Sequence, residues 1–295
     1  EFTKSNQILP GGSFSSSSVV IKNDFDSDGD YDLFVGSRLV PQKYGIPASS
    51  YILRNEGDGS FVNMSDSIAP GLKDLGMVTD AKWFDYDRDN DLDLVIVGHW
   101  MPVTIFKNDN NIFTKTIQKN LLNSNGWWNT IHVSDLNNDG FEDLIVGNQG
   151  KNSRFRSSVN KPLRMYVNDF DENGSNEQII FQYNGDSAYT MSLRHDLVMQ
   201  MPSLKKRYLK YNSYKNQTAN DIFSSEKLNT SHLNLIFDLE TSIFINKSGI
   251  FNKISIPIDA QFSSVHSIYT DDINSDGYLD IILGGNLHSV KPEVG

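Results

Sequence analysis

The sequence predicts an all-β chain, a β-propeller of four-stranded blades carrying a small helical insertion, and three observations lead there. A short acidic pattern recurs between apolar strands: DFDSDGDYDLFVG from Asp24, DYDRDNDLDLVIVG from Asp85, DLNNDGFEDLIVG from Asp135 and DINSDGYLDIILGG from Asp272. A looser copy, DFDENGSNEQII, starts at Asp169. Successive copies begin 61, 50, 34 and 103 residues apart, and intervals of about 50 suit one four-stranded unit per copy. A second hairpin of the form aromatic-x-x-Asn-turn-Phe also recurs: YILRNEGDGSFVNM at Tyr51, TIFKNDNNIFTKT at Thr104 and SIFINKSGIFNKI at Ser242. An inner acidic hairpin and an outer hairpin of this kind together make one blade.

The acidic loops have the composition of hard-cation sites. Oxygen side chains stand at positions 1, 3, 5 and 9: Asp24, Asp26, Asp28 and Asp32; Asp85, Asp87, Asp89 and Asp93; Asp135, Asn137, Asp139 and Asp143; Asp272, Asn274, Asp276 and Asp280. The looser copy offers Asp169, Asp171, Asn173 and Glu177. With a backbone carbonyl and a water, each set reaches the six to eight oxygens that Ca²⁺ takes, whereas Mg²⁺ demands a strict octahedron. Four to five Ca²⁺ sites are therefore expected. An EF-hand is excluded, because it needs Glu at position 12 and flanking helices. Position 12 here is Val35, Ile96, Val146, Ile180 or Leu283, and the flanks are rich in β-branched and aromatic residues.

The Asp169 copy leaves two placements open, as the outer hairpin of the third blade or the inner hairpin of a fourth. Beyond it, residues 187–232 change character. Leu193, Leu197, Met201, Leu204 and Tyr208 recur at three- and four-residue steps, a helical period, and Pro202 divides the stretch into two short helices. A helical insertion within a propeller spanning 1–295 accounts for this. Its Lys205, Lys206, Arg207 and Lys210 read as a solvated face or as a docking patch for an acidic partner.

Composition narrows the partners. A net charge of −11 disfavours nucleic acid and anionic membranes, and 17 of the 37 acidic side chains occupy the proposed ligand positions. There is no Cys, so neither disulfides nor thiolate metal sites contribute. No apolar run approaches the length of a membrane-spanning helix. The chain opens at Glu1 without Met, and further domains of the same parent chain are expected. Loops of this kind suit an extracellular, cell-surface or periplasmic setting, where calcium is plentiful enough to fill weak sites.

The pattern D-x-[DN]-x-D-G-x-x-D-[LI]-x-[VIL]-G resembles the FG-GAP/VCBS repeats of integrin α-subunit propellers and of many secreted bacterial proteins. Residues 160–295, with YVNDFDENGS, SLRHDLVMQMPSLKKRY and AQFSSVHSIYTDDINSDGYLDIILGGN, further resemble bacterial VCBS-repeat proteins bearing an ASPIC/UnbV-type C-terminal module, relatives of cartilage acidic protein. The resemblance implies a seven-bladed propeller, calcium in the inner-hairpin loops, and export. Two departures stand out. The second loop has Asn90 in place of Gly, a residue that tolerates a left-handed turn, and the chain is short for seven blades, which implies a partial ring.

Strands leaving the acidic loops end at the opposite face near the axis. Ligand-face candidates there are Arg38, His99, Trp100, Asn148, Asn152, Arg154, Asn286 and His288, side chains that grip sugars or acidic groups by hydrogen bonding and stacking. Trp83, Trp127 and Trp128 read as packing residues. The six His are scattered, with no Ser-His-Asp or His-Glu-x-x-His arrangement. The expectation is a calcium-binding extracellular adhesion or binding module for a glycan or a surface protein. The alternatives are a lyase-like enzyme acting on acidic polysaccharide, with no catalytic set assigned, and a purely structural scaffold.

Overall fold

The structure, a computed structural model, describes residues 6–10 and 15–286. Its first blade is one antiparallel sheet in chain order, β1 (Ser16–Asn23), β2 (Asp32–Leu39), β3 (Tyr51–Asn55) and β4 (Phe61–Asn63). The second repeats the plan with β5 (Met77–Phe84), β6 (Asp93–Met101), β7 (Thr104–Asp109) and β8 (Ile112–Lys115), and adds β9 (Gly126–Trp127) beside β6. The chain is thus all-β, built of four-stranded antiparallel sheets with few and short helices.

Strand β6 shows why a nearly continuous apolar run is needed here. All nine of its residues are buried. Successive side chains of a strand point to opposite faces, so Leu94 and Ile96 pack with Phe34, Ile52 and Phe106 in the cluster shared with the first blade. Val95 and Val97 pack with Trp128, Leu144 and Phe244 in the cluster shared with the third. A blade covered on both faces by its neighbours has no solvated side to alternate with.

The third blade is discontinuous. Strands β10 (Thr130–Ser134) and β11 (Asp143–Gly147) form its inner hairpin, and β11 then pairs with β16 (Ser242–Lys247), which pairs with β17 (Ile250–Ser255). Residues 148–241 leave the blade between its second and third strands and build a sheet of their own. It contains β12 (Leu163–Asn168), β13 (Glu177–Asn184), β14 (Ser187–Thr190) and β15 (His232–Ile236) in the order β14-β13-β12-β15. The Asp169 loop joins β12 to β13, so it is neither of the two hairpins between which the sequence left it. One short helix, α1 (Ser65–Ile68), follows β4, and four more, α2 (Arg194–Gln200), α3 (Leu204–Arg207), α4 (Ala219–Ile222) and α5 (Ser225–Thr230), connect β14 to β15. The start of the expected helical stretch, Ser187–Thr190, is therefore strand. Leu197, Met201 and Tyr208 bury the helices against Phe181 and Phe223, and Pro202 falls between α2 and α3. A fourth unit contributes β18 (Ser267–Asp271) and β19 (Asp280–Gly284), joined by the Asp272 loop.

The inserted sheet lies across the end of the inner hairpins remote from the acidic loops. Leu163, Met165, Val167 and Ile236 pack there on Met77 and Trp100, flanked by Tyr44, Trp127 and Phe155. Asn148 holds its neck closed. The Asn148 Nδ2 donates to the Asp238 carbonyl at 3.1 Å, and its Oδ1 accepts from the Trp127 N–H at 3.1 Å.

Phe251 is fully buried between the second and third blades, with its ring 6.3 Å from those of Phe84 and Tyr86. Phe251→Ala is expected to lower stability by about 3–5 kcal/mol in denaturant unfolding; a change under about 1 kcal/mol would mean that the two blades do not pack through it.

Candidate metal centre and the face opposite it

All five acidic loops adopt one turn. The position-1 carboxylate accepts the N–H groups of positions 5 and 6, as in Asp24 from Asp28 and Gly29 at 3.1 Å each, and Asp169 from Asn173 at 2.9 Å and Gly174 at 2.8 Å. Position 5 turns back to its own strand: the carboxylates of Asp28, Asp89, Asp139 and Asp276 and the amide oxygen of Asn173 accept the N–H of position 7. Position 6 takes a left-handed backbone in each loop, and Asn90 does so with φ 72° where the others have Gly. Position 4 does the same with Ser27, Arg88, Asn138, Glu172 and Ser275, a second left-handed residue that no Gly advertises.

Positions 1, 3 and 9 converge. The ligand oxygens of Asp24, Asp26 and Asp32 lie within 4.8 Å of one another, as do those of Asp85, Asp87 and Asp93 and those of Asp169, Asp171 and Glu177. In the third and fifth loops position 3 is Asn137 or Asn274, whose oxygen accepts the N–H of Asp139 or Asp276. Where position 3 is Asp, one of its oxygens is enclosed without a donor: Asp26 Oδ1, Asp87 Oδ1 and Asp171 Oδ1. A charged oxygen shut off from both water and donors is costly. Paired charges at such separations repel by about 3 kcal/mol at an effective dielectric of about 20. A hard cation answers both penalties at once, so the residues fit a cation bound among positions 1, 3 and 9.

Position 9 does more than offer an oxygen. Asp32, Asp93 and Asp143 are fully buried. One oxygen of each accepts the N–H of position 2, from Phe25, Tyr86 or Leu136. The other accepts the backbone N–H of the outer-hairpin Asn: Asn55 at 2.8 Å, Asn108 at 2.8 Å and Asn246 at 2.7 Å. The side chains of those Asn return to the carbonyls of Tyr31, Leu92 and Glu142 at 3.2 Å. The recurring Asn of the outer hairpin is therefore the clasp between outer hairpin and acidic loop. In the inserted sheet Glu177 keeps the bond to Phe170 N–H at 2.9 Å but has no such Asn.

A family model described as an FG-GAP-like repeat matches residues 24–96 and again 85–146. Residues 24–146 are FG-GAP-like repeats. Each match opens at position 1 of one loop and closes at position 12 of the next, and the second ends just before the chain departs into the insertion. No curated protein matches the chain. FG-GAP repeats typically occur in extracellular proteins, and no helix among the described residues is long and apolar enough to cross a membrane.

The second FG-GAP-like loop has an occupant that the others lack. Lys107 places its ammonium against Asp87 and, at 3.0 Å, Asp89, and these carboxylates hold its pKa above the usual lysine range. The equivalent residue of the first blade, Arg54, pairs instead with Glu56, and in the third it is Ile245.

The face opposite the loops is partly consumed by packing. Trp100 is 4 % and Asn148 0 % exposed; Asn148 is enclosed at the neck of the inserted sheet and not open to a ligand as the sequence suggested, while Trp100 packs beneath that sheet and lines one wall of a cavity of about 260 Å³ with His99, Asn125 and Leu233. Trp127 and Trp128 also pack. Asn152, Arg154 and Asn286 are exposed, with Asn152 donating to the Phe262 carbonyl and Arg154 lying over the Phe155 ring. His288 lies outside the described residues. Arg38 and His99 instead meet Asn129 and His266 around one cavity, and these last two were not singled out from the sequence.

Burial raises the pKa of the position-9 carboxyls of Asp32, Asp143 and Glu177, and pushes that of Asp93 up to about 7, with Asp87 and Asp89 adding to it. A carboxyl with a folded pKa above its unfolded one holds its proton more tightly when folded. Its contribution to stability is therefore full below the unfolded value, near 3.9, and is lost as pH rises through the folded one. Metal-stripped protein is expected to melt higher at about pH 5 than at about pH 7.5, with Asp93→Asn flattening the difference. A melting temperature that rises with pH over this interval, in both forms, would contradict it.

Proposed function

We propose that this chain is a calcium-stabilised, extracellular β-propeller module that binds a glycan or a surface protein through the face opposite its acidic loops. The observation that carries the metal half of this reading is the convergence of positions 1, 3 and 9 on the orphaned oxygens Asp26 Oδ1, Asp87 Oδ1 and Asp171 Oδ1. All-oxygen ligands favour Ca²⁺ over softer metals. Each ion joins carboxylates that otherwise repel, and so couples the closing of a blade to metal binding. The binding half rests on the usual division between a rigid repeat scaffold and the loops at its end. The resemblance of residues 160–295 to VCBS-repeat proteins with an ASPIC/UnbV-type module belongs to the same reading and gives further domains of the parent chain as partners.

In this reading the loops differ in their need for metal. Lys107 already supplies one positive charge to Asp87 and Asp89, so the second loop is a weaker Ca²⁺ site than the first, which has the same four carboxylates. The first loop and the inserted Asp169 loop have no such substitute at position 3.

Thermal unfolding in excess Ca²⁺, excess Mg²⁺ and excess chelator tests the metal reading. Calcium at a hundredfold excess over its dissociation constant stabilises by about 2.7 kcal/mol per site. A clear rise in melting temperature is expected with Ca²⁺ and a smaller one with Mg²⁺. Asp26→Asn and Asp171→Asn should each reduce the rise, and equal melting in calcium and chelator would overturn the reading. Lys107→Met should enlarge the calcium-dependent rise, because it leaves Asp87 and Asp89 without a counter-charge. A smaller rise would show that the lysine does not compete with metal.

A further inference from the structure

The three blades and the β18–β19 unit meet around a polar cavity of about 320 Å³ at the end remote from the acidic loops. Arg38 reaches it from the first blade, Thr79 and His99 from the second, Asn129 from the third, and His266 from the head of β18. Hydroxyls of Ser16, Ser17 and Ser18 complete the wall. None of the described residues lining it is acidic, although the chain holds 37 carboxylates and a net charge of −11. The cavity is a cationic site in an anionic protein.

Several of its polar groups are already paired: Ser18 Oγ donates to the Val78 carbonyl at 2.7 Å, Thr79 Oγ1 to the Trp128 carbonyl at 2.9 Å, and the side chains of His99 and Asn129 hydrogen-bond each other. Two donors stand free of them. Arg38 is exposed and forms no ion pair or hydrogen bond among the described residues. Asn129 Nδ2 is buried and has no acceptor. His99, 7 % exposed, has its tautomer set from behind. The Trp100 indole N–H donates to the Tyr44 hydroxyl at 3.1 Å, and that hydroxyl lies 3.2 Å from His99 Nδ1. A buried phenol that accepts from the indole satisfies its own proton by donating onward, so Nδ1 accepts and the imidazole proton sits on Nε2. Burial, and then the charge of Arg38, hold the His99 pKa down to about 3, so the ring is a neutral donor. Burial and Arg38 also lower His266. No carboxylate acts on either ring, and the positive charge of Arg38 is left without a counter-ion.

We propose that this cavity binds the oxyanion of an acidic saccharide, with the Arg38 guanidinium on the anion, Asn129 Nδ2 as a neutral donor held in place by the hydrogen bond between the Asn129 and His99 side chains, and the hydroxyl oxygens of Ser16–Ser18 and Thr79 accepting from sugar hydroxyls. A guanidinium fork matches a carboxylate or sulfate with two parallel hydrogen bonds. A neutral donor at its side, Asn129 Nδ2, adds affinity without the repulsion that a second charged group would bring to Arg38. The volume exceeds what a lone carboxylate side chain would fill, and hydroxyls and amides rather than apolar groups line it, which favours a sugar over an acidic peptide. The inference rests on the ligand-binding reading above and deepens it for this face; it is independent of the metal in the loops.

The test is a ligand-observed NMR titration of the intact chain in calcium. The probes are glucuronate oligomers, sulfated glucose oligomers and neutral glucose oligomers of matched length, and a tetraglutamate peptide. One or both acidic saccharides should bind at least tenfold more tightly than the neutral oligomer and the peptide, and binding should weaken with added salt. A preference between the first two names the oxyanion as carboxylate or sulfate. Arg38→Ala should reduce binding at least tenfold and Arg38→Lys less, both with unchanged calcium-dependent melting. Asn129→Asp, which places a carboxylate in the cavity at equal size, should abolish it. Binding unaffected by Arg38→Ala, tighter binding of the peptide, or no binding of either acidic saccharide would overturn the proposal. Charge-independent binding of the neutral oligomer would do so while leaving the binding-module reading intact.

Discussion

The buried carboxylate at position 9 of each FG-GAP-like loop is the constraint on which the blades depend. Asp32, Asp93 and Asp143 sit where an outer strand, an inner strand and a turn meet, each accepting one N–H from its own loop and one from the outer-hairpin Asn. A carboxylate without solvent is tolerable only when its lone pairs are used. The two hydrogen bonds and the proposed cation share that task. This gives the third blade its unusual continuity: Asp143 and Asn246 find each other although residues 148–241 intervene, because the Asn clasp specifies which outer hairpin completes which loop.

Blade stacking follows from strand geometry. Over residues 94–97 of β6, odd and even residues serve different interfaces, Leu94 and Ile96 toward the first blade and Val95 and Val97 toward the third. A substitution in this stretch is therefore felt mainly on one side. The inserted sheet uses a third kind of surface. It covers the exits of the inner hairpins with Met165, Val167 and Ile236, and Asn234 donates to the Gly45 carbonyl at 2.8 Å to tie it to the first blade.

That cover divides the face opposite the loops. Trp100 is taken up as core and turned to a second use, since its indole N–H orients Tyr44 and through it His99. Among the described residues, open space remains on both sides of His99, in a cavity lined by Trp100, Asn125 and Leu233 and in the one among Arg38, His99, Asn129 and His266. Carboxylates crowd in the acidic loops at one end, while the cavity at the other end holds Arg38 and no carboxylate among the described residues that line it.

Local chemistry was legible in the sequence because the FG-GAP-like turn is a local object. The oxygen spacing, the left-handed position 6, the strand after each loop and the recurrent Asn all lie within a few residues of one another, and period-two alternation with apolar runs marked the strands. The sequence by itself determined the all-β blades, the acidic loops and the outer hairpins at Tyr51, Thr104 and Ser242. It could not decide what depends on contacts between distant segments. The partner of the Ser242 hairpin, the Asp169 loop as the middle of an inserted sheet, the burial of Trp100 and Asn148, and the meeting of Asn129 and His266 with Arg38 are all of that kind. Nothing in the residues around His266 signals that they will face Arg38. Only the packing of one blade on the next brings them to the same cavity.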